Sequence, residues 1–406
     1  MNRMSIETVA LFTNEYPPNV YGGAGVHVEY LSRALAETVN VEVRCFGDQD
    51  ESHPHLRVRG YRPWDEMGRD TNPQFVSAMN AFSQSLAMAK DTLDAAVVHS
   101  HTWYTQMAGF LAGQLWEIPT VLTTHSLEPL RPWKAEQLGS AYALSSWMER
   151  TAIEGADAVI AVSQETRTDV LNNFDVDPGR VHVIHNGIDL DEYTPAKSAE
   201  AVEARGVDPS RPYVLFVGRI TRQKGIIHLV DAIRHIEPAI QVVLLAGAPD
   251  TPQIAAEMKE RVARARESRD GIIWIEEMLP RADTIQFYTH ARVFCCPSVY
   301  EPFGIINLEA MACETAVVAS RIGGIPEVVV PEETGLLVDL PLKPNSFEPV
   351  DPERFARSLA DGINRVALDE ALARRMGIAG RRRAEAEFSW RAIAGRTLEL
   401  YESLRR

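Results

Sequence analysis

The feature that most constrains this chain is an alternation that runs, stops and runs again. Short β-branched apolar runs ("TVALFT", "VEVRCFG", "AAVVHSH", "TVLTTHS", "AVIAVS", "VHVIHNG") are separated by amphipathic helical stretches such as "VHVEYLSRALAETV". Each run ends in a polar or glycine turn. That rhythm specifies a mostly parallel sheet covered by helices. A polar stretch, "IDLDEYTPAKSAEAVEARGVDPSRPY", interrupts it at 188–213. The pattern then restarts with "YVLFVGR", "QVVLLAGA", "GIIWIE", "RVFCCPS" and "AVVAS". The reading is an α/β fold of two doubly wound, Rossmann-like domains, residues 1–190 and 191–389, with the linker near 187–210. Open parallel sheets bind ligands at the carboxyl ends of their strands. Two such edges facing each other predict a cleft.

The 406 residues suffice for two cores, with 45% hydrophobic and 24% charged. A net charge of −15 argues against nucleic acid, whose phosphates demand a basic surface. Four cysteines without a C-x-x-C pair read as small buried residues of a reduced chain. No apolar run reaches the roughly 20 residues that span a bilayer, and no signal peptide is evident, so the expected location is cytoplasmic.

Three stretches carry chemistry. In "YGGAGVHVEYL", Gly22, Gly23 and Gly25 lie between a strand and a helix, where backbone N–H groups approach an anion. Read alone, the stretch is equally a tight turn, and its spacing matches neither a dinucleotide fingerprint nor a P-loop. In "VLFVGRITRQKGI", Arg219 and Lys224 flank a loop at a strand's carboxyl end. Two cations there clamp a diphosphate and stabilise it as a leaving group; a solvated basic loop is the bland alternative. In "PSVYEPFGIINLEAMACE", Glu301 precedes a Pro-Phe-Gly turn and Glu309 lies on the helix that follows. The N–H groups near Ile305 and Ile306 point out of that helix start, beside Gly304. Carboxylates repel phosphate and accept from hydroxyls, so these acids suit a sugar and a ribose. Unrelated surface acids would show the same bare spacing.

His99, His101, His182 and His185 fall at strand ends without a zinc-site spacing. Three D-x-D matches, Asp48/Asp50, Asp175/Asp177 and Asp189/Asp191, lie in turn-like stretches. Arg219 and Lys224 supply positive charge in place of an ion, so no metal or cofactor is expected.

Together "EPFGIINLE", "GRITRQKG", "HNGID" and "GGAGVHV" resemble the retaining glycosyltransferases of GT-B fold. "TNEYPPNVYGGAGVHVEYL", "VVHSHTWYTQMAG" and "SVYEPFGIINLEAMACETAVVAS" are similar to the bacterial glycogen synthase and α-maltose-1-phosphate synthase group. The resemblance spans essentially the whole chain. It implies that Arg219 and Lys224 grip the donor diphosphate, Glu309 the ribose and Glu301 the transferred hexose. Backbone at Gly304, Ile305 and Ile306 would hold sugar and phosphate, and Gly22 and Gly23 would approach the diphosphate. His125 in "TTHSLEP" matches the family's active-site histidine. The last helix, within 388–404, would return to the first domain, which then comprises 1–190 and 390–406.

The resemblance further implies transfer of glucose, with retention, from ADP-glucose or UDP-glucose. The acceptor would be glucose 1-phosphate or an α-1,4-glucan end, held mainly by the first domain. Trp103 and Tyr104 could stack on that acceptor, or pack the core; Arg131 and Lys134 could meet its phosphate, or simply be solvated. Rival readings are a lipid or small-molecule glycosyltransferase, a sugar-nucleotide epimerase and a non-catalytic nucleotide-sugar binder. A lipid enzyme would carry a basic amphipathic helix, whereas "VHVEYLSRALAETV" has one Arg against two Glu. A homo-oligomer is left open.

Overall fold

The computed structural model describes residues 6–20, 22–68, 72, 75–131, 141–344 and 346–405. They divide into two compact units: unit 1 is Met1–Gly187 with Trp390–Arg406, and unit 2 is Ile188–Ser389.

Unit 1 is built on an eight-stranded sheet. Its strands are β1 (Thr8–Thr13), β2 (Asn40–Phe46), β3 (Asp50–His53), β4 (Leu56–Tyr61), β5 (Val98–His101), β6 (Thr120–Thr124), β7 (Ala158–Ala161) and β8 (Val181–Val183). They lie in the order β3-β4-β2-β1-β5-β6-β7-β8. All pairs are parallel except β3–β4, an exposed edge hairpin that the apolar pattern does not show. Helices α1 (Gly23–Ala36), α2 (Val76–Lys90), α3 (Thr102–Trp116), α4 (Ala141–Gly155) and α5 (Gln164–Asn173) cover it. The central strands β5, β6 and β7 are buried along their whole length, because helices pack on both faces.

Unit 2 carries β9 (Tyr213–Arg219), β10 (Gln241–Gly247), β11 (Ile272–Ile275), β12 (Val293–Cys296), β13 (Ala316–Arg321) and β14 (Gly335–Asp339). Their order, β11-β10-β9-β12-β13-β14, is wholly parallel and doubly wound. Around it lie α6 (Ile226–Ala232), α7 (Pro252–Ser268), α8 (Arg281–His290), α9 (Ile305–Ala312), α10 (Pro352–Leu368) and α11 (Glu370–Glu387). The strand order reverses between β9 and β12, so the crevice of this unit opens where those two strands end.

The chain then re-enters unit 1 as α12 (Trp390–Ser403). Trp390, Ile393, Leu400 and Tyr401 bury against β1, β2 and α1, and the Trp390 ring stacks on Tyr30 at 5.8 Å. The four cysteines are buried and unbridged. The stretch at 188–213, polar in sequence, is an ordered part of unit 2 rather than a spacer: Ile188, Tyr193, Val202 and Val207 are buried.

Candidate functional site

In unit 2 the sequence-predicted residues gather at the β9/β12 crevice. Arg219 ends β9 and its guanidinium donates to Asp250 at 2.9 Å. The following loop is pinned twice: Lys224 N–H donates to Thr221 Oγ1 at 3.1 Å, and Val299 N–H to the Gln223 carbonyl at 2.9 Å. Gly225 starts α6 with φ +62°, and a Cβ there would overlap the Pro297 carbonyl oxygen. Glycine is thus what lets the loop after β9 press against the loop after β12.

That closeness sets the first contact. Lys224 Nζ donates to Glu301 Oε2 at 2.7 Å, and Ser298 Oγ donates to the same oxygen at 3.1 Å. Glu301 is 7% exposed. Burial works against the Lys224 charge, but Glu301 more than offsets it and holds the ammonium above the usual lysine range. Gly324 N–H donates to the Glu301 carbonyl at 3.0 Å, fixing the backbone as well.

Gly304, with φ +101°, turns the chain into α9. Helix geometry leaves the first N–H groups, those of Ile305 and Ile306 included, without intrahelical acceptors. Unpaired N–H groups at a helix start favour an anion. Glu309, further along α9, is half-buried and held by two tyrosines. Tyr193 donates to Oε1 at 3.0 Å and Tyr288 to Oε2 at 2.8 Å. Burial pushes the Glu309 carboxyl up, and the two hydroxyls pull part of that shift back. Both oxygens keep further lone pairs, which vicinal hydroxyls can use. Neither tyrosine was singled out from sequence: Tyr193 lies in the polar stretch, and nothing in "RADTIQFYTH" says where the Tyr288 hydroxyl points.

In unit 1 the glycine turn and the histidine sit at the carboxyl edge of the sheet. Gly22 N–H already donates to Glu15 Oε2 at 2.7 Å, so an incoming anion would meet that carboxylate. His125 follows β6 and its Nε2 lies 3.1 Å from His101 Nδ1. His27, on α1, packs edge-on to His125 at a centroid distance of 4.7 Å. Burial pushes His27, His101 and His125 below the usual histidine range, His27 to about 4, so all three are neutral at pH 7. The gathered histidines are therefore 27, 101 and 125. His99 is engaged with Tyr401 and Thr123, the latter at 2.7 Å.

Trp103 is buried, its ring packed on Tyr104 at 4.0 Å, among Ala81, Met107 and Met148. Tyr104 also borders a cavity of about 590 Å³ lined by Asn14, Phe46, Asn80 and Gln84. Arg131 donates to Ser126 Oγ at 3.1 Å and lies 3.5 Å from the buried carboxylate of Glu128. Lys134 lies outside the described residues. Members of all three D-x-D matches where contacts are described serve local structure. Asp48 pairs with Arg62, Asp177 caps the Gly179 N–H, and Asp189 caps the N–H groups of Asp191 and Glu192.

Comparison with known proteins matches residues 21–192 to the Glycosyltransferase Family 4 model and 198–383 to the Glycosyl transferases group 1 model. An alpha-maltose-1-phosphate synthase of Mycolicibacterium smegmatis is 50% identical over 98% of this chain and 99% of its own length. A D-inositol 3-phosphate glycosyltransferase of Xylanimonas cellulosilytica is 30% identical over 94% of this chain and 91% of its own. Among solved structures, a sucrose-phosphate synthase of Thermosynechococcus elongatus superposes with TM-score 0.77 at 28% identity, covering 98% of this chain and 99% of that one.

Proposed function

The chain belongs to the GT-B glycosyltransferases, within the alpha-maltose-1-phosphate synthase group, and from that premise we propose that it moves glucose from ADP-glucose to glucose 1-phosphate with retention, forming an α-1,4-linked disaccharide phosphate. One observation supports this reading: two cations, Arg219 and Lys224, and two acids, Glu301 and Glu309, share the switch-point crevice of unit 2. Arg219 and Lys224 take the diphosphate, Glu301 the hexose hydroxyls and Glu309 the ribose. The Ile305 and Ile306 N–H groups, next to Gly304, add partial positive charge.

These groups bind where charge grows. As the anomeric C–O bond breaks, the departing phosphate gains negative charge, and Lys224 and Arg219 stabilise it in place of a divalent cation. The acceptor attacks from the same face and its proton passes to that phosphate. The names of all three relatives above carry a phosphorylated small molecule, which favours a sugar phosphate over a glucan end as the acceptor. Tyr104 and Arg131 are the acceptor-side candidates.

Incubation with ADP-glucose or UDP-glucose, each against glucose 1-phosphate, inositol 3-phosphate and a maltooligosaccharide, tests the proposal by product mass. A disaccharide phosphate from ADP-glucose and glucose 1-phosphate is expected. A lengthened glucan or a glycosylated inositol phosphate as the main product would replace the acceptor assignment.

A further inference from the structure

Three imidazoles converge in unit 1, from three elements far apart in sequence: His27 on α1, His101 at the end of β5 and His125 after β6. One ring nitrogen of each lies within 4.8 Å of one from each of the others. His101 Nδ1 and His125 Nε2 are 3.1 Å apart. His27 Nδ1 bonds to Asn186 Oδ1 at 2.7 Å. An amide oxygen only accepts, so this nitrogen carries the ring proton and His27 Nε2 presents a lone pair. That Nε2 is buried with no hydrogen-bond partner, while the His101 nitrogen on the His125 side is Nδ1. A buried nitrogen left this way destabilises the fold unless something fills the gap.

We propose that His27, His101 and His125 form a capture site for a borderline divalent cation, with Zn²⁺ as the type. Neutral imidazoles are the ligating form, and nitrogen ligands suit zinc. Zn–N bonds of about 2.0–2.1 Å place tetrahedral ligand nitrogens about 3.3 Å apart. His101 Nδ1 and His125 Nε2 stand near that spacing, both ligating once the ring proton between them moves to the far nitrogen of its ring, and a shift of the His27 ring closes the third side. Asn186 supplies the outer-shell acceptor that ligating histidines ordinarily use to fix their tautomer. His125 is half-buried, which gives the ion a way in and leaves a fourth position for water. The site shares His125 with the histidine that the resemblance assigns to the active site, and the cation is a captured ligand, not a requirement for catalysis.

Zn²⁺ alone, titrated calorimetrically into the untagged full-length chain in a non-chelating buffer, tests this. One site per chain is expected, and Co²⁺ in its place should give the intense visible bands of a tetrahedral nitrogen set. His27→Leu should abolish the site. Asn186→Ala, which removes only the outer-shell acceptor, should weaken it about 10–100-fold. Should either variant fail to fold, the Co²⁺ spectrum of the unaltered chain decides. Absence of saturable binding, binding unchanged in His27→Leu, or a weak octahedral Co²⁺ spectrum would overturn the proposal.

Discussion

Lys224 Nζ and Glu301 Oε2 meet at 2.7 Å where β9 and β12 end, joining two loops 77 residues apart in sequence. The cation proposed for the diphosphate is thus held beside the acid proposed for the sugar. An arriving donor would find Lys224 oriented and its charge secured. Lys224→Ala removes that cation and strips Glu301 of its ionic partner. We expect kcat to fall about 10²–10³-fold, as for loss of one charge-stabilising donor. Stability should drop by about 1–3 kcal/mol, read from urea midpoints. Lys224→Ala with Glu301→Gln should regain part of the stability and none of the activity.

Glu309 is the second test. Tyr193→Phe or Tyr288→Phe deletes a hydrogen bond that favours the carboxylate, so the Glu309 carboxyl should rise further. The acid limb of the kcat/KM profile should move to higher pH. Donor KM should increase roughly fivefold, matching about 1 kcal/mol for one hydrogen bond. An unmoved pH limb in both variants would remove Glu309 from donor binding.

Glu149 predicts a pH-dependent stability. Burial and the neighbouring Glu128 push its carboxyl up to about 8, while its Oε2 accepts from the Glu128 N–H at 2.9 Å. The folded state therefore holds this proton more tightly than the unfolded chain does. Its stabilising effect is complete below the ordinary carboxyl range and is lost as pH rises through about 8. The slope is at most about 1.4 kcal/mol per pH unit. Urea unfolding of Glu149→Gln between pH 5 and 9 should show a flatter dependence than the unaltered chain.

Two glycines with positive φ should respond differently to alanine. Gly206 has φ +80° and open space around it, so Gly206→Ala should cost about 1–2 kcal/mol for the left-handed backbone alone. Gly225→Ala adds overlap with the Pro297 carbonyl and should exceed that, while also lowering turnover by displacing Lys224. Equal thermal shifts and equal activities in the two would contradict the proposed packing of the loops.

Much of the candidate site in unit 2 was legible because its residues cluster in sequence near strand ends. Arg219, Lys224, Glu301 and Glu309 are named by their loops, and parallel topology brings those loops to one edge. What stayed hidden depends on contacts across long separations. Tyr193 reaches Glu309 over 116 residues from a stretch with no apolar period. His27 is a single histidine on a helix until folding sets it against His101 and His125. The β3–β4 hairpin escaped because β3 is exposed at every position, leaving no buried face to write an alternation.

In the proposed function, fixed cations at the end of β9 hold a nucleotide sugar's diphosphate while neighbouring acids orient its sugars. A crystal structure of the chain with ADP-glucose tests it most directly. Diphosphate oxygens are expected within hydrogen-bond reach of Arg219 and Lys224, and ribose hydroxyls on Glu309. Nucleotide bound elsewhere, with Lys224 still closed on Glu301 and no ligand beside them, would contradict it.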